Sequence, residues 1–200
     1  MPKTCEYYFA PHSPWTYLGH ARFVELAKSN NVQVDLKPFD IGKVFNASGG
    51  LPLAKRAPQR QAYRILELRR WSYFLQIPLN VQPQFFPVDG EAAAKIIIAT
   101  QLAHGNDAAL ELSGSIMRAL WSEEKNIADA DTLASLAFDC EHDGKALLKS
   151  SETASVQAEY DRFTDEALAA NVFGSPWYVV EGESFWGQDR LDFLARKFSK

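Results

Sequence analysis

Residues Phe9-Ala10-Pro11-His12-Ser13-Pro14-Trp15-Thr16-Tyr17-Leu18-Gly19 constrain this chain more than any other stretch. Just upstream, Cys5-Glu6-Tyr7-Tyr8-Phe9 is aromatic-rich and suits a buried strand. Just downstream, Ser13 is an N-cap residue and Pro14 stands where the first helical residue belongs. Tyr17, Ala21 and Val24 then recur at helical spacing, and Phe23 and Ala27 widen the apolar face. A strand therefore runs into a helix through a tight turn. That turn gathers the Ser13 hydroxyl and several unpaired N–H groups at one point, which is a place to hold an anion.

Two hundred residues, 46% of them apolar, suffice for one well-buried core or for one domain carrying an insertion. A formal net charge of −4 with no basic run makes nucleic acid and anionic membrane poor partners. No apolar stretch reaches the roughly 20 residues of a membrane span, and no secretory signal pattern is visible. Cys5 and Cys140 are the two cysteines, in neither a Cys-x-x-Cys nor a metal-ligand spacing. The expectation is a cytoplasmic protein with free structural thiols, Cys5 in the first strand and Cys140 late in a helix, and no metal site.

Val32 to Phe39 alternates apolar and polar residues and reads as a second strand, after an Asn30-Asn31 turn. Asn46 to Pro58, with Ser48-Gly49-Gly50 and Pro52, reads as a long loop ending near Lys55, Arg56 and Arg60. About a hundred residues of helix signals follow. Pro58 to Leu75 carries Tyr63, Leu66 and Arg70 on one side, and Ile77-Pro78 ends it. Phe85 to Gly90 forms an aromatic turn; Glu91 to His104 is the next helix, and Asp107 caps one in which Leu110, Gly114, Met117 and Trp121 share a face. Asp131 to Glu141, Gly144 to Lys149, and a helix defined by Val156, Tyr160, Phe163, Ala167 and Ala170 complete the run. Strand signals return in Trp177 to Val180 and Ser184 to Trp186, around the turn Glu181-Gly182-Glu183, before a last helix from Asp189 to Phe198. The order β-α-β, many helices, β-β-α is that of an α/β, thioredoxin-like domain interrupted by an all-helical insertion. Residues 1–57 plus 171–200 form the first domain and 58–170 the second.

In such an arrangement the turn after the first strand faces the loop before the third, here Val172-Phe173-Gly174-Ser175-Pro176. Pro176, directly before a strand, is a candidate cis residue whose loop would leave Ser175 backbone groups free to pair with an extended peptide. The Ser13-x-x-Thr16 turn has no cysteine, which excludes dithiol–disulfide exchange there. A reactive sulfur would have to arrive with a ligand. Lowering a thiol pKa by about two units takes roughly 2.7 kcal/mol. A helix N-terminus supplies about 0.3–2 kcal/mol and a hydrogen bond to a charged group about 1.5–3 kcal/mol. The helix end alone falls short; with the Ser13 hydroxyl the sum suffices. The plainer reading is that Ser13 only caps its helix.

Phe9 to Gly19, Val44-Phe45…Ser48-Gly49, Arg60…Tyr63, Arg70-Trp71, Leu75 to Pro78, Val172 to Pro176 and Trp186-Gly187-Gln188-Asp189-Arg190-Leu191 together resemble the 2-hydroxychromene-2-carboxylate isomerase family, itself related to kappa-class glutathione transferases. The resemblance implies a thioredoxin-like domain with a helical insertion, glutathione as cofactor, a homodimer, and a role in aromatic compound degradation. By the same resemblance Ser13 faces the glutathione sulfur, and Ser175 and cis-Pro176 pair with its cysteinyl backbone. Gln188 and Asp189 hold the γ-glutamyl end. Arg60, where the family usually has lysine, meets the glycyl carboxylate, and a guanidinium binds that group at least as well. Tyr63 and Trp15 would line the place of a small aromatic acid. Gly50 stands where an asparagine is common, and Ala10 where an acidic residue is frequent.

The implied activity is glutathione-dependent cis–trans isomerisation of a 2-hydroxychromene-2-carboxylate and a trans-o-hydroxybenzylidenepyruvate-type acid, through a glutathione thiolate adduct with no redox change. Two alternatives stand beside it: a kappa-class-like glutathione transferase or peroxidase, and a non-catalytic thioredoxin-fold binding module. His12 reads as a loop residue. His20, His104 and His142 read as solvated or structural groups near helix ends.

Overall fold

The computed structural model describes residues 3–199. Four strands, β1 (Thr4–Phe9), β2 (Gln33–Pro38), β3 (Trp177–Val180) and β4 (Glu183–Trp186), form one sheet in the order β2-β1-β3-β4. β1 runs parallel to β2, with Cys5 opposite Val34, and antiparallel to β3, with Tyr7 opposite Tyr178. β4 closes the edge by antiparallel pairing with β3. Glu181 and Gly182 make the β3–β4 turn in the left-handed region, with φ of 51° and 78°, so this hairpin uses two turn residues rather than three.

The helices are α1 (Pro14–Ser29), α2 (Ile41–Ser48), α3 (Pro58–Leu75), α4 (Glu91–His104), α5 (Asn106–Trp121), α6 (Ala130–Asp139), α7 (Gly144–Ser151), α8 (Ala154–Ala169) and α9 (Leu191–Phe198). Short 3-10 turns at Leu53–Lys55 and Gln188–Arg190 join them. Among the described residues no helix is long and apolar enough to cross a membrane.

Successive residues of β1 point to opposite faces of the sheet, and each face has its own core. Cys5, Tyr7 and Phe9 join Phe23 of α1, the Ile96-Ile97-Ile98 run of α4, and Leu112, Ile116 and Trp121 of α5 in one continuous cluster. Tyr7 lies nearly parallel to Phe9 and Tyr178, with centroids 4.8 and 5.3 Å away. On the other face Tyr8 packs with Phe39, Val44, Ala167, Val172 and Trp177. Cys5 and Cys140 are both buried and free. Burial pushes the Cys5 thiol well up, which keeps it protonated and inert.

Four local expectations change. The stretch read as a loop from Asn46 begins inside α2, because Asp40 caps Gly42 and Lys43 through Oδ1 and Gly49 ends the helix at φ 76°. The loop itself is 49–57. Asp107 lies in the first turn of α5 rather than capping it, since the helix starts one residue earlier, after Gly105. In α1, Ala21 faces solvent, and the buried side is Thr16, Leu18, Gly19, His20, Phe23 and Ala27. His20 is thus no helix-end residue. It is fully enclosed mid-helix, its Nε2–H donating to the Leu110 carbonyl at 2.9 Å while Nδ1 accepts from the Tyr7 hydroxyl at 3.1 Å.

α3 stands apart from this packing. Over eighteen residues it buries Arg64 and Leu68, and it packs on α1. Tyr63, Leu66, Tyr73 and Phe74 are exposed.

Candidate active site

The site forms where three chain segments converge: the end of β1 with the start of α1, the loop before β3, and the corner after β4. Ser13 has extended backbone (φ −81°, ψ 124°), and its Oγ accepts from the Thr16 N–H at 3.3 Å, so it is the N-cap of α1. Pro14 has no N–H, and the Ser13 N–H donates to the Ala10 carbonyl at 3.0 Å. That leaves the Trp15 N–H as the first-turn donor without a partner among the described residues, one group where several were expected.

The peptide before Pro176 is cis, in the loop that faces this turn. Ser175 is tied down on both sides: its Oγ accepts from the Ala10 N–H at 2.8 Å and shares a hydrogen bond of 2.8 Å with the Thr16 hydroxyl. Its carbonyl is not free, because the Ser13 hydroxyl donates to it at 3.3 Å. This last bond is long for an O–H donor, so the Ser13 proton is loosely held. Ser13, Thr16 and Ser175 are all buried. The turn and the loop are therefore one rigid hydroxyl network, with a single hydroxyl able to swing toward a ligand.

The corner after β4 closes the third side. The Gly187 N–H donates to the Pro176 carbonyl at 3.0 Å. Trp186 lays its indole across Gly174, where any side chain would meet the ring, and Phe173 packs edge-on to it. Asp189 is well exposed and paired with its neighbour Arg190. Gln188 is buried against Gly19 and its amide oxygen accepts from Arg22 at 3.0 Å, so it braces this corner on α1. Nothing in the isolated sequence announces that Gly19 must be a glycine for Gln188 to fit.

The remaining expected residues lie on the α3 side. Trp15 is half-buried at the second helical position of α1. Arg60 is exposed in the first turn of α3 with no acidic partner among the described residues. Tyr63 points outward, with Arg70 over its ring at 5.9 Å. Gly50 has a physical reason: a Cβ there would run into the Phe45 ring, over which Arg56 lies at 5.8 Å. His12 is enclosed against Gly90, its Nδ1 without a hydrogen-bond partner. Burial lowers its pKa against the opposing pull of Asp89 and Asp40, so it stays neutral at pH 7. The surface hollows between β4 and α9 and beside α6 and α7 do not touch Ser13.

Sequence reasoning missed Arg64. It is 9% exposed, and its guanidinium lies over the rings of Phe86 at 5.2 Å and Trp121 at 5.8 Å. Its four-residue spacing from Arg60 on a helix was the one signal available.

A family model described as a DSBA-like thioredoxin domain matches residues 4–199. A 2-hydroxychromene-2-carboxylate isomerase of Sphingobium xenophagum is 29% identical over 195 residues, covering 97% of each chain. Human glutathione S-transferase kappa 1 is 24% identical over 206 residues, covering 98% of this chain and 90% of that one. A solved 2-hydroxychromene-2-carboxylate isomerase superposes with a TM-score of 0.82 at 23% identity, covering 98% of this chain and 94% of that chain.

Proposed function

The chain belongs to the DSBA-like thioredoxin domain family, and from that premise we propose that it is a glutathione-dependent isomerase of the 2-hydroxychromene-2-carboxylate type. One observation carries the reading. The residue that caps the active-site helix is Ser13, not a cysteine, in a chain similar along its whole length to an isomerase of that name. The family's fold positions a sulfur site; this sequence lacks the sulfur and keeps its donors.

The site residues fit glutathione. Among the described residues the Trp15 N–H is unpartnered and Arg60 has no acidic partner, and the Ser13 hydroxyl sits on a long bond it can give up. In this reading Ser13 donates to the thiolate, the Ser175-Pro176 loop receives the cysteinyl backbone, Asp189 takes the ammonium and Arg60 the glycyl carboxylate. Gln188 holds the corner that carries Asp189. Bound there, glutathione would supply a nucleophilic sulfur that adds reversibly to a conjugated carbon, so that the former double bond can rotate before the sulfur leaves.

What the chain itself does is electrostatic. The α1 N-terminus and the Ser13 hydroxyl favour the anion over the neutral thiol, and Thr16 and Ser175 keep the hydroxyl in place. No electron is gained or lost. Residues 1–57 and 171–200 hold the sulfur end, and 58–170 supply the wall for the organic acid. The exposed Leu66, Tyr73 and Phe74 of α3 give a homodimer a surface to cover. Two buried thiols suit a reducing cytoplasm.

The test is turnover of a 2-hydroxychromene-2-carboxylate with and without glutathione, beside a generic chlorinated nitrobenzene electrophile. Glutathione-dependent isomerisation that exceeds conjugation supports the reading. Conjugation alone would make the chain a kappa-like transferase, and neither activity would make it a binding module.

A further inference from the structure

A guanidinium with only 9% of its residue exposed has little water around it and calls for a counter-charge, and among the described residues Arg64 has none. No ion pair or hydrogen bond of Arg64 is found among the described residues; its recorded neighbours are two aromatic rings and the cation Arg56. The charge felt most by Arg64 is another cation, Arg56, which with burial lowers its pKa to about 10. Arg64 is therefore still protonated at pH 7. The rings of Phe86 and Trp121 ease its burial, but they bring no negative charge.

Its position relates to Ser13 through two independent contacts. His12, beside Ser13, packs on Gly90, and Gly90 closes the same loop that carries Phe86. Tyr17, one turn beyond Ser13, donates its hydroxyl to the Pro78 carbonyl at 2.7 Å, just past the end of α3. α3, which packs on α1, carries Arg64, with Arg60 one turn before it. α1, α3 and the Phe86 loop thus converge around an unpaired cation that lies over aromatic rings.

We propose that Arg64 is the seat for the carboxylate of the organic acid, binding it in a bidentate pair while its aromatic part lies against Phe86. This deepens the isomerase reading and rests on it for the identity of the acid. Arg60 is left for the shorter reach to the tripeptide, and Arg64 sets the requirement for an acidic substrate. Its role is positioning and specificity; it touches no reacting bond.

The probe is trans-o-hydroxybenzylidenepyruvate beside its methyl ester, binding read from tryptophan fluorescence in wild type, R64Q and R64K. Ultraviolet thiolate absorbance of added glutathione is read in the same samples. The expected result is a loss of about 30-fold in affinity for the acid in R64Q, no change for the ester, and partial recovery in R64K. Glutathione affinity and thiolate signal stay at wild-type values, which also shows that R64Q is folded at Ser13. Wild-type affinity for the acid in R64Q, or a loss for glutathione instead, overturns the proposal. Should R64Q not fold, equal affinity of wild type for acid and ester overturns it as well. If wild type gives no thiolate signal yet holds the acid through Arg64, the isomerase reading fails while the seat stands.

Discussion

Lys37 and Arg64 are both buried cations, and the fold treats them in opposite ways. Lys37, on β2, is met by Glu166 at 2.9 Å, Asp35 at 3.1 Å and Glu6 at 3.4 Å, with its ammonium also over the Tyr8 ring. Burial pulls its pKa down, and the hydrogen bonds to Glu166 and Asp35 outweigh that and raise it. Among the described residues Arg64 receives two aromatic rings and no acid. A cation saturated by its own chain is a structural element. One left without a counter-ion beside a candidate active site is prepared for something the chain does not contain.

The largest expected effect sharpens the structural side of that contrast. Lys37→Met leaves three carboxylates facing one another. Those carboxylates keep 33–41% of their side-chain surface in water, which softens the penalty. The cost is about 3 kcal/mol of unfolding free energy, at the low end for a broken buried pair, measured by urea titration.

His20 is a third buried titratable group, satisfied while neutral. Its folded pKa of about 4 lies below the ordinary 6.5, chiefly through burial. The unfolded chain therefore binds the proton first as pH falls. The stability that His20 contributes is complete above pH 6.5 and is lost down to about pH 4, at up to roughly 1.4 kcal/mol per unit. Urea midpoints across that window, compared with His20→Gln, isolate this slope.

Arg64→Met breaks the contrast if it behaves like Lys37→Met. The expected change in unfolding free energy is less than about 1 kcal/mol of either sign, because removing a lone buried charge offsets the lost packing. A loss as large as that of Lys37→Met would make Arg64 structural. The smallest effect comes from the exposed Arg70–Glu67 pair, where Arg70→Gln should leave the urea midpoint indistinguishable from wild type in the same titration.

The sequence was most readable where local chemistry decides the outcome. Ser13-Pro14 specifies a cap and a first turn by itself, and β1 follows from five residues rich in aromatics. The α8 stripe at Val156, Tyr160, Phe163 and Ala167 is buried as its spacing requires. α2 was hidden because Ser48-Gly49-Gly50 dominates the reading of its neighbours, although Asp40 and Gly49 mark its two ends. Arg64 was illegible for a different reason. A charge on a helix face reads as solvated, and the rings that enclose it come from Phe86 and Trp121, brought there only by tertiary folding. Gln188 is similar: its burial depends on Gly19, far away in the chain. The hydroxyl network of Ser13, Thr16 and Ser175 lies between these cases, since both segments were recognisable but the bond from Ser13 to the Ser175 carbonyl was not.

The central claim is that Ser13 keeps a borrowed sulfur ionised. Titrating the ultraviolet thiolate absorbance of protein-bound glutathione against pH, in wild type and Ser13→Ala, addresses it directly. The account predicts a midpoint at least one to two units below that of free glutathione in wild type, moving up by about one to two units in the variant. Identical midpoints in the two proteins would contradict it.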